Sequence, residues 1–175
     1  LTAARGAGHW HYVRCRDLDG DGRLEIVVGG RGRAGPGLRL LAPPEEEARR
    51  ADFGRWSLST IDAELESGHG FAFGDLDGDG DEDLVLANSD WNTEPHEQRV
   101  AWYENPGGAA ALRGPWRRHV VHQAPDFYTK EQVDAGDADR DGRLDFAVHL
   151  AEAVYWFRNA GFGRTEPAGT DGAEG

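Results

Sequence analysis

The sequence is poor in several residue types, and each shortage argues against a class of protein. Cys15 is the only cysteine among 175 residues, so neither a disulfide-stapled scaffold nor a zinc site of cysteine pairs is available. No run of about 20 apolar residues occurs, which is the length that a membrane-spanning helix needs. Lysine and arginine number 19 against 32 acidic residues, and the net charge of −13 argues against nucleic acid, because phosphate binding needs a basic surface. Cys15 lies in an apolar stretch and is expected to be a small core residue.

Methionine is absent altogether, including from the first position. This absence favours an excerpt or a processed form of a longer protein. A secretory signal pattern is not visible, and in an excerpt its absence carries no information. The motifs G-x-S-x-G, H-E-x-x-H and C-x-x-C are also missing, so the common hydrolase, zincin and redox signatures do not apply.

What the chain has in excess is aspartate, arranged in three copies of one loop about sixty residues apart. The copies span 17–25, 75–83 and 137–145, with carboxylates at loop positions 1, 3, 5 and 9 and glycine at position 6. Ca²⁺ takes about six to eight oxygen ligands, and alternate residues of a tight loop can direct that many inward. Asp-Gly is also a hairpin signal, but three copies in one register favour metal loops over plain turns. The predicted ligands are Asp17, Asp19, Asp21, Arg23 and Glu25; Asp75, Asp77, Asp79, Asp81 and Asp83; and Asp137, Asp139, Asp141, Arg143 and Asp145, with position 7 contributing its backbone carbonyl.

The residues after each loop distinguish these loops from EF-hands. An EF-hand needs a bidentate glutamate at position 12 and a helix beyond it. Position 12 is Val28, Leu86 or Val148, each within a β-prone apolar run. Each loop is therefore predicted to join two strands. Loops of this kind fill at the high calcium concentration of an extracellular or periplasmic setting, which favours an exported protein.

The loops mark a repeat whose units each contain four predicted strands and no helix. This pattern predicts all-β structure, with β-propeller blades at about 9–61, 69–121 and 131–159 in a segment spanning 1–159. Val13, Phe71, Phe73 and Val133 are expected to pack blade against blade. The third unit is expected to lack its fourth strand, and 160–175 is expected to be a disordered tail.

Three blades are too few to close a ring, because propellers use roughly four to eight. Either the chain is a piece of a larger propeller, for example a seven-bladed one, or chains pair to complete one. The missing fourth strand and the missing methionine favour a piece of a larger propeller.

These features resemble FG-GAP and VCBS repeats, which form integrin α-chain propellers and occur in many secreted microbial proteins. The resemblance covers about 9–159 and is carried by 73–80 with 83–85, their counterparts in the other units, and the run 100–107. It implies about three calcium ions held by the acidic loops on one face, with ligands meeting the opposite face. Glu25 departs from the pattern by replacing aspartate at position 9, so the first site is expected to differ in geometry or affinity.

The face opposite the loops is expected to carry aromatic and histidine side chains. The residues of this predicted ligand face are His69, Trp91, His96, His122 and Tyr128. Aromatic rings beside histidines and carboxylates suit carbohydrate binding or acid–base chemistry on a sugar, although loop tips are often simply polar.

The sequence therefore predicts a secreted propeller module that binds a carbohydrate or protein ligand, with calcium in a structural role. One alternative is the propeller body of a sugar lyase or dehydratase, which requires the histidines to converge on one pocket. Another is an integrin-like adhesion module, whose protein partner the sequence does not identify.

Overall fold

The computed structural model describes residues 9–31, 37–65, 68, 70–88, 98–124, 129–150, 153–161 and 165–167. These residues form three antiparallel sheets, each a meander of four consecutive strands. This arrangement is that of a propeller blade and confirms the predicted all-β class. No helix in the described ranges is long and apolar enough to cross a membrane.

The strands follow the chain in order, four to a blade. Blade 1 comprises β1 (His9–Arg16), β2 (Glu25–Arg31), β3 (Leu38–Ala42) and β4 (Ser57–Asp62). Blade 2 comprises β5 (Phe71–Gly74), β6 (Asp83–Asn88), β7 (Gln98–Glu104) and β8 (Arg117–Ala124). Blade 3 comprises β9 (Thr129–Gly136), β10 (Asp145–Leu150), β11 (Ala153–Asn159) and β12 (Thr165–Pro167). Two short 3₁₀ turns (Glu47–Arg49 and Phe53–Arg55) and one α-helical turn, α1 (Gly108–Ala111), lie in the connections.

The expectation that the third unit lacks a fourth strand is wrong. β12 pairs antiparallel with β11, with Asn159 opposite Thr165 and Phe157 opposite Pro167. A three-residue strand has no room for an alternating apolar pattern, and proline is tolerated because an edge strand needs partners on one side only. Residues 162–164 and 168–175, which make up most of the predicted disordered tail, lie outside the described residues.

Two apolar layers hold the three blades together. The layer between blades 1 and 2 includes Val27, Leu40, Phe71, Leu84 and Tyr103. The layer between blades 2 and 3 includes Val85, Trp102, Phe146, Val148 and Phe157. Every residue of β6 is buried, because β6 is an inner strand of the middle blade and both of its faces are covered. Full burial of one such apolar side chain stabilises the fold by about 1.5–3 kcal/mol.

The prediction of inward-facing residues is confirmed for blades 2 and 3 and wrong for blade 1. Phe71 is buried, and Phe73 and Val133 pack against the two layers. Val13, in contrast, is 54% exposed, and Cys15 is exposed rather than a core residue. Both lie on the face of blade 1 that points away from blade 2, because alternate residues of a strand point to opposite faces.

Candidate metal centres

The three acidic loops fold in the same way around their first aspartate. In each loop the Oδ2 of position 1 accepts a hydrogen bond from the backbone N–H of the glycine at position 6. These bonds are Gly22 to Asp17 at 2.9 Å, Gly80 to Asp75 at 3.1 Å and Gly142 to Asp137 at 3.1 Å. The three glycines have φ values of 84°, 98° and 89°, a left-handed conformation that glycine adopts without steric cost. The glycine of the motif is therefore required by the turn itself.

Three carboxylates converge in each loop. The groups are Asp17, Asp19 and Glu25; Asp75, Asp77 and Asp83; and Asp137, Asp139 and Asp145. In each group one oxygen per residue lies within 4.8 Å of the others. Three like charges at this separation repel one another, and a cation between them turns repulsion into attraction. The donors are all hard oxygens, which suit Ca²⁺ or Mg²⁺ rather than a metal that prefers sulfur or imidazole.

The carboxylate at position 9 ties the loop to the rest of its blade. Asp83 is fully buried; its Oδ2 accepts from the N–H of Leu76 at 2.9 Å and its Oδ1 from the N–H of Asn105 at 2.8 Å. Asp145 makes the equivalent pair, with Ala138 at 3.1 Å and Asn159 at 2.8 Å. Position 9 therefore joins the start of the loop to the end of the third strand in both blades.

Two asparagines each reach the acidic loop of the neighbouring blade. The sequence analysis did not single them out as functional residues. The Nδ2 of Asn105 donates to the carbonyl of Leu18 in the first loop at 2.9 Å. The Nδ2 of Asn159 donates to the carbonyl of Leu76 in the second loop at 2.5 Å. Both asparagines are buried, and each stands two residues after an aromatic residue, Tyr103 or Phe157, and two residues before a glycine. That repeated Asn-x-Gly pattern was the available signal.

The first loop differs from the others, as the glutamate at position 9 predicted. Pro43 stands where blades 2 and 3 have asparagine, two residues after Leu41, the partner of Ile26 in the sheet. Proline has no N–H, so the second hydrogen bond to position 9 cannot form. Glu25 is 1% exposed, and its Oε2 accepts from the N–H of Leu18 at 2.9 Å. Glu25 therefore keeps the bond within the loop, and Pro43 leaves it without the bond to the third strand.

Burial shifts the protonation of these carboxyls. It raises the pKa of Glu25 to about 7 and that of Asp83 to about 7, with neighbouring loop aspartates adding to the increase. The pKa values of Asp19 and Asp77 are also raised, mainly by loss of solvent. A carboxylate that holds its charge poorly in the absence of a counter-ion is one that gains from a bound cation.

Positions 5 and 7 have a different placement from positions 1, 3 and 9. The position-5 aspartates are not part of the converging groups; their Oδ1 accepts from the backbone N–H of position 7. These bonds are Arg23 to Asp21 at 2.8 Å, Asp81 to Asp79 at 2.9 Å and Arg143 to Asp141 at 3.0 Å. In the first and third loops, the arginine at position 7 also forms an ion pair with the position-5 carboxylate. Ligation by the position-7 carbonyl stays a prediction.

The predicted ligand face is described only at one residue. His122 lies on β8, half-buried, with its ring centroid 6.3 Å from that of Phe157. The other four residues of that face, His69, Trp91, His96 and Tyr128, lie outside the described residues. Convergence of the histidines on one pocket therefore stays a prediction.

A cleft between blades 1 and 3 was not predicted from the sequence. It has a volume of about 420 Å³ and is lined by residues of β1, β9, β10 and β11. Tyr12 and Arg14 approach from blade 1, with the guanidinium carbon 4.9 Å from the tyrosine ring centroid. Gln132, Asp134 and His149 approach from blade 3. The cleft thus combines an aromatic ring with donors, acceptors and both signs of charge.

Comparison with known proteins supports the repeat seen in the geometry. No curated protein matches the chain significantly. Residues 75–148 match the model of the FG-GAP-like repeat, a segment that runs from the first aspartate of the second loop, through the third loop, into β10. Residues 75–148 therefore resemble an FG-GAP-like repeat, which confirms the FG-GAP part of the resemblance predicted from the motifs.

Proposed function

We propose that this chain is a calcium-stabilised β-propeller module that serves as a binding or scaffold domain outside the cell or in the periplasm. The repeat and the stacked four-stranded sheets support a propeller-like binding or scaffold module. The observation that supports calcium binding is that three carboxylates lie within 4.8 Å of one another in each of the three loops. Calcium modules of extracellular proteins bind at about 10⁻⁴–10⁻³ M, so such loops suit a calcium-rich setting.

The proposed role of calcium is structural. Asp83, the position-9 carboxylate of the second loop, belongs to the converging carboxylates that would hold the cation. It also accepts hydrogen bonds from the backbone N–H groups of Leu76 and Asn105. Asn105 in turn reaches the first loop of the neighbouring blade through Leu18. A cation held at Asp75, Asp77 and Asp83 therefore stabilises both the loop and the contact between blades. Its binding free energy adds to the free energy of unfolding, by about 2.7 kcal/mol per site at a hundredfold excess over Kd.

A thermal melt tests this role. We expect a higher melting temperature in millimolar CaCl₂ than in EDTA, with a smaller gain in MgCl₂, because Mg²⁺ demands a smaller octahedral site and keeps its waters. Asp77→Asn removes one charge from the second group and should reduce the calcium-dependent gain. Glu47→Gln, a change of the same type at an exposed residue of a 3₁₀ turn, is the matched control. Equal melting in EDTA and calcium would falsify the structural role.

The lining of the cleft between blades 1 and 3 suits a polar ligand such as a carbohydrate. Arg14, whose guanidinium lies over the Tyr12 ring, offers a partner for a carboxylate. Gln132, Asp134 and His149 offer hydrogen-bonding groups for hydroxyls. Saturation-transfer NMR with neutral and uronic-acid oligosaccharides tests this assignment. Signals should weaken in Tyr12→Ala and persist in Glu47→Gln; equal signals in both variants would remove the cleft as the binding site.

Further blades, from the same chain or from another, complete the proposed propeller. Blade 2 is covered on both faces, whereas blades 1 and 3 each have one face that no described blade covers. A propeller needs at least about four blades, so the two open faces require partners of the same kind.

A further inference from the structure

An unbroken chain of hydrogen bonds joins the position-9 carboxylates of the three acidic loops. Each link uses three bonds: an asparagine N–H donates to the carboxylate of one loop, its side chain donates to the position-2 carbonyl of the preceding loop, and the position-2 N–H donates to the position-9 carboxylate of that loop. The members in order are Glu25, Leu18, Asn105, Asp83, Leu76, Asn159 and Asp145. None of the seven is more than 7% exposed.

The chain enters the first loop at Leu18, which lies between the predicted ligands Asp17 and Asp19. The N–H of Leu18 donates to Glu25 and its carbonyl accepts from Asn105, both at 2.9 Å. These two groups belong to the peptide planes on either side of Leu18, so holding both fixes its φ and ψ. The separation of the two flanking ligands is therefore set in part by Asn105, a residue of the next blade.

The asparagine side chains are fully bonded within the fold. The Nδ2 of Asn105 donates to Leu18 and, at 3.1 Å, to the carbonyl of Glu82, while its Oδ1 accepts from the N–H of Gly107 at 3.0 Å. Asn159 makes the same three contacts, with Leu76, Leu144 and Gly161. A buried polar network with every member satisfied is rigid. Each asparagine therefore holds two loops in one relative position.

We propose that the loops take up calcium cooperatively, because Asn105 and Asn159 each transmit the ordering of one loop to the ligands of the next. The inference rests on the calcium role proposed above and adds coupling between its sites. Without a cation, Asp83 is repelled by the other carboxylates of its group; a cation holds it in place. A held Asp83 fixes Asn105, and through it Leu18. The next cation then has less of its own loop to order and binds more tightly.

Repulsion between bound cations acts in the opposite direction, so the sign of the coupling distinguishes the two effects. Salt at physiological concentration screens exposed charges that lie more than about 8 Å apart, whereas the hydrogen-bond chain is buried. We therefore expect positive coupling of at least about fivefold in affinity, the lower end of the range usual for coupled sites. Asn105 and Asn159 act here as positioning residues, since the cation contacts the carboxylates.

Amide NMR during a calcium titration tests the proposal loop by loop. The position-6 glycines Gly22, Gly80 and Gly142 each donate to the first aspartate of their own loop, so each signal reports one site. In the wild-type chain the three signals should shift together, with an apparent Hill coefficient above one. Asp77→Asn weakens the second site and leaves every member of the hydrogen-bond chain in place. It should weaken calcium binding at the first and third loops at least about fivefold.

Two further variants separate coupling from general stability. In Asn105→Ala, the addition of Asp77→Asn should no longer affect the first loop and should still affect the third. In Asn159→Ala the pattern should be the reverse. Asn88→Ala, at a buried asparagine of blade 2 at the end of β6 far from the loop, is the matched control and should keep both couplings. Loss of both couplings in either single variant would indicate a general loosening of the blades and overturn the proposal.

The wild-type titration decides the question even if a variant fails to fold. Glycine signals that respond independently, or that show one cation weakening the binding of the next, overturn the coupling and leave the calcium role intact. Signals that do not respond to calcium at all overturn both the coupling and the calcium role.

Discussion

The side chain of Asn105 in blade 2 donates a hydrogen bond to the carbonyl of Leu18 in the first acidic loop, 87 residues earlier in the chain, at 2.9 Å. The backbone N–H of the same residue donates to Asp83, the position-9 carboxylate of the second loop. One residue therefore contacts two candidate metal loops on adjacent blades. Asn159 repeats the arrangement between the second and third loops. This chain of contacts connects each of these candidate metal loops to the packing of the neighbouring blade.

Removing the Asn105 side chain, which connects blade 2 to the first acidic loop, should destabilise the packing of the blades. We expect Asn105→Ala to lower the free energy of unfolding by about 1–3 kcal/mol, because a buried carbonyl loses its partner. Gln123→Ala, at an exposed residue of the same blade, should have little effect. Urea unfolding in calcium measures both values. A loss below about 0.5 kcal/mol for Asn105→Ala would show that the connection contributes little.

The register of the second loop predicts unequal effects for two neighbouring acidic residues. Asp77→Asn should lower the number of calcium ions bound by one, because Asp77 belongs to the converging group. Glu82→Gln should leave the number unchanged, since Glu82 instead pairs with Arg16 across the blade interface. Isothermal titration calorimetry measures the stoichiometry. Identical losses in the two variants would show that the register is wrong.

The raised pKa values predict an unusual pH dependence in the cation-free protein. Glu25 and Asp83 have folded-state pKa values of about 7, above their ordinary values of 4.5 and 3.8. At pH values between the ordinary and the folded-state pKa, the folded protein holds protons that the unfolded chain has released. The free energy of unfolding therefore falls as pH rises through this range. In EDTA we expect a higher melting temperature near pH 5.5 than near pH 8.

Calcium should reverse this trend, because the cation replaces the protons on the same carboxylates. The double variant Glu25→Gln with Asp83→Asn removes both groups and should flatten the EDTA curve. Melting temperatures that climb steadily from about pH 5.5 to 8 in EDTA would count against the assignment.

In the third loop an arginine pairs with two of the predicted ligand carboxylates. Arg158 Nε lies 2.6 Å from Asp139 Oδ2, and its NH2 lies 3.3 Å from Asp141 Oδ2. Arg158→Ala should therefore raise calcium affinity at this loop several-fold, since the cation no longer displaces a guanidinium. Arg117→Ala, on an outer strand of blade 2, is the control. Calorimetry compares the two, and unchanged or weaker binding in Arg158→Ala would contradict the competition.

The local features of this protein were predictable from its sequence. Loop bounds, the glycine at position 6 and the strands after each loop depend on residues next to one another in the chain. The β-prone run predicted around Leu86, for example, lies within β6 (Asp83–Asn88). The three-residue strand β12 was missed because its pairing with β11 depends on a neighbour and not on a pattern of its own.

Val13 and Val133 mark the limit of this prediction. Each stands four residues before the first aspartate of its loop, so the sequence alone assigns both the same inward role. Val133 packs against the layer shared with blade 2, whereas Val13 is 54% exposed because no described blade covers its side of blade 1. The sequence by itself determined the acidic loops, the repeat and the all-β class, since these follow from short-range spacing. Only the tertiary structure decided which sheet faces are covered and which asparagines join the blades, because these depend on contacts between residues far apart in the chain.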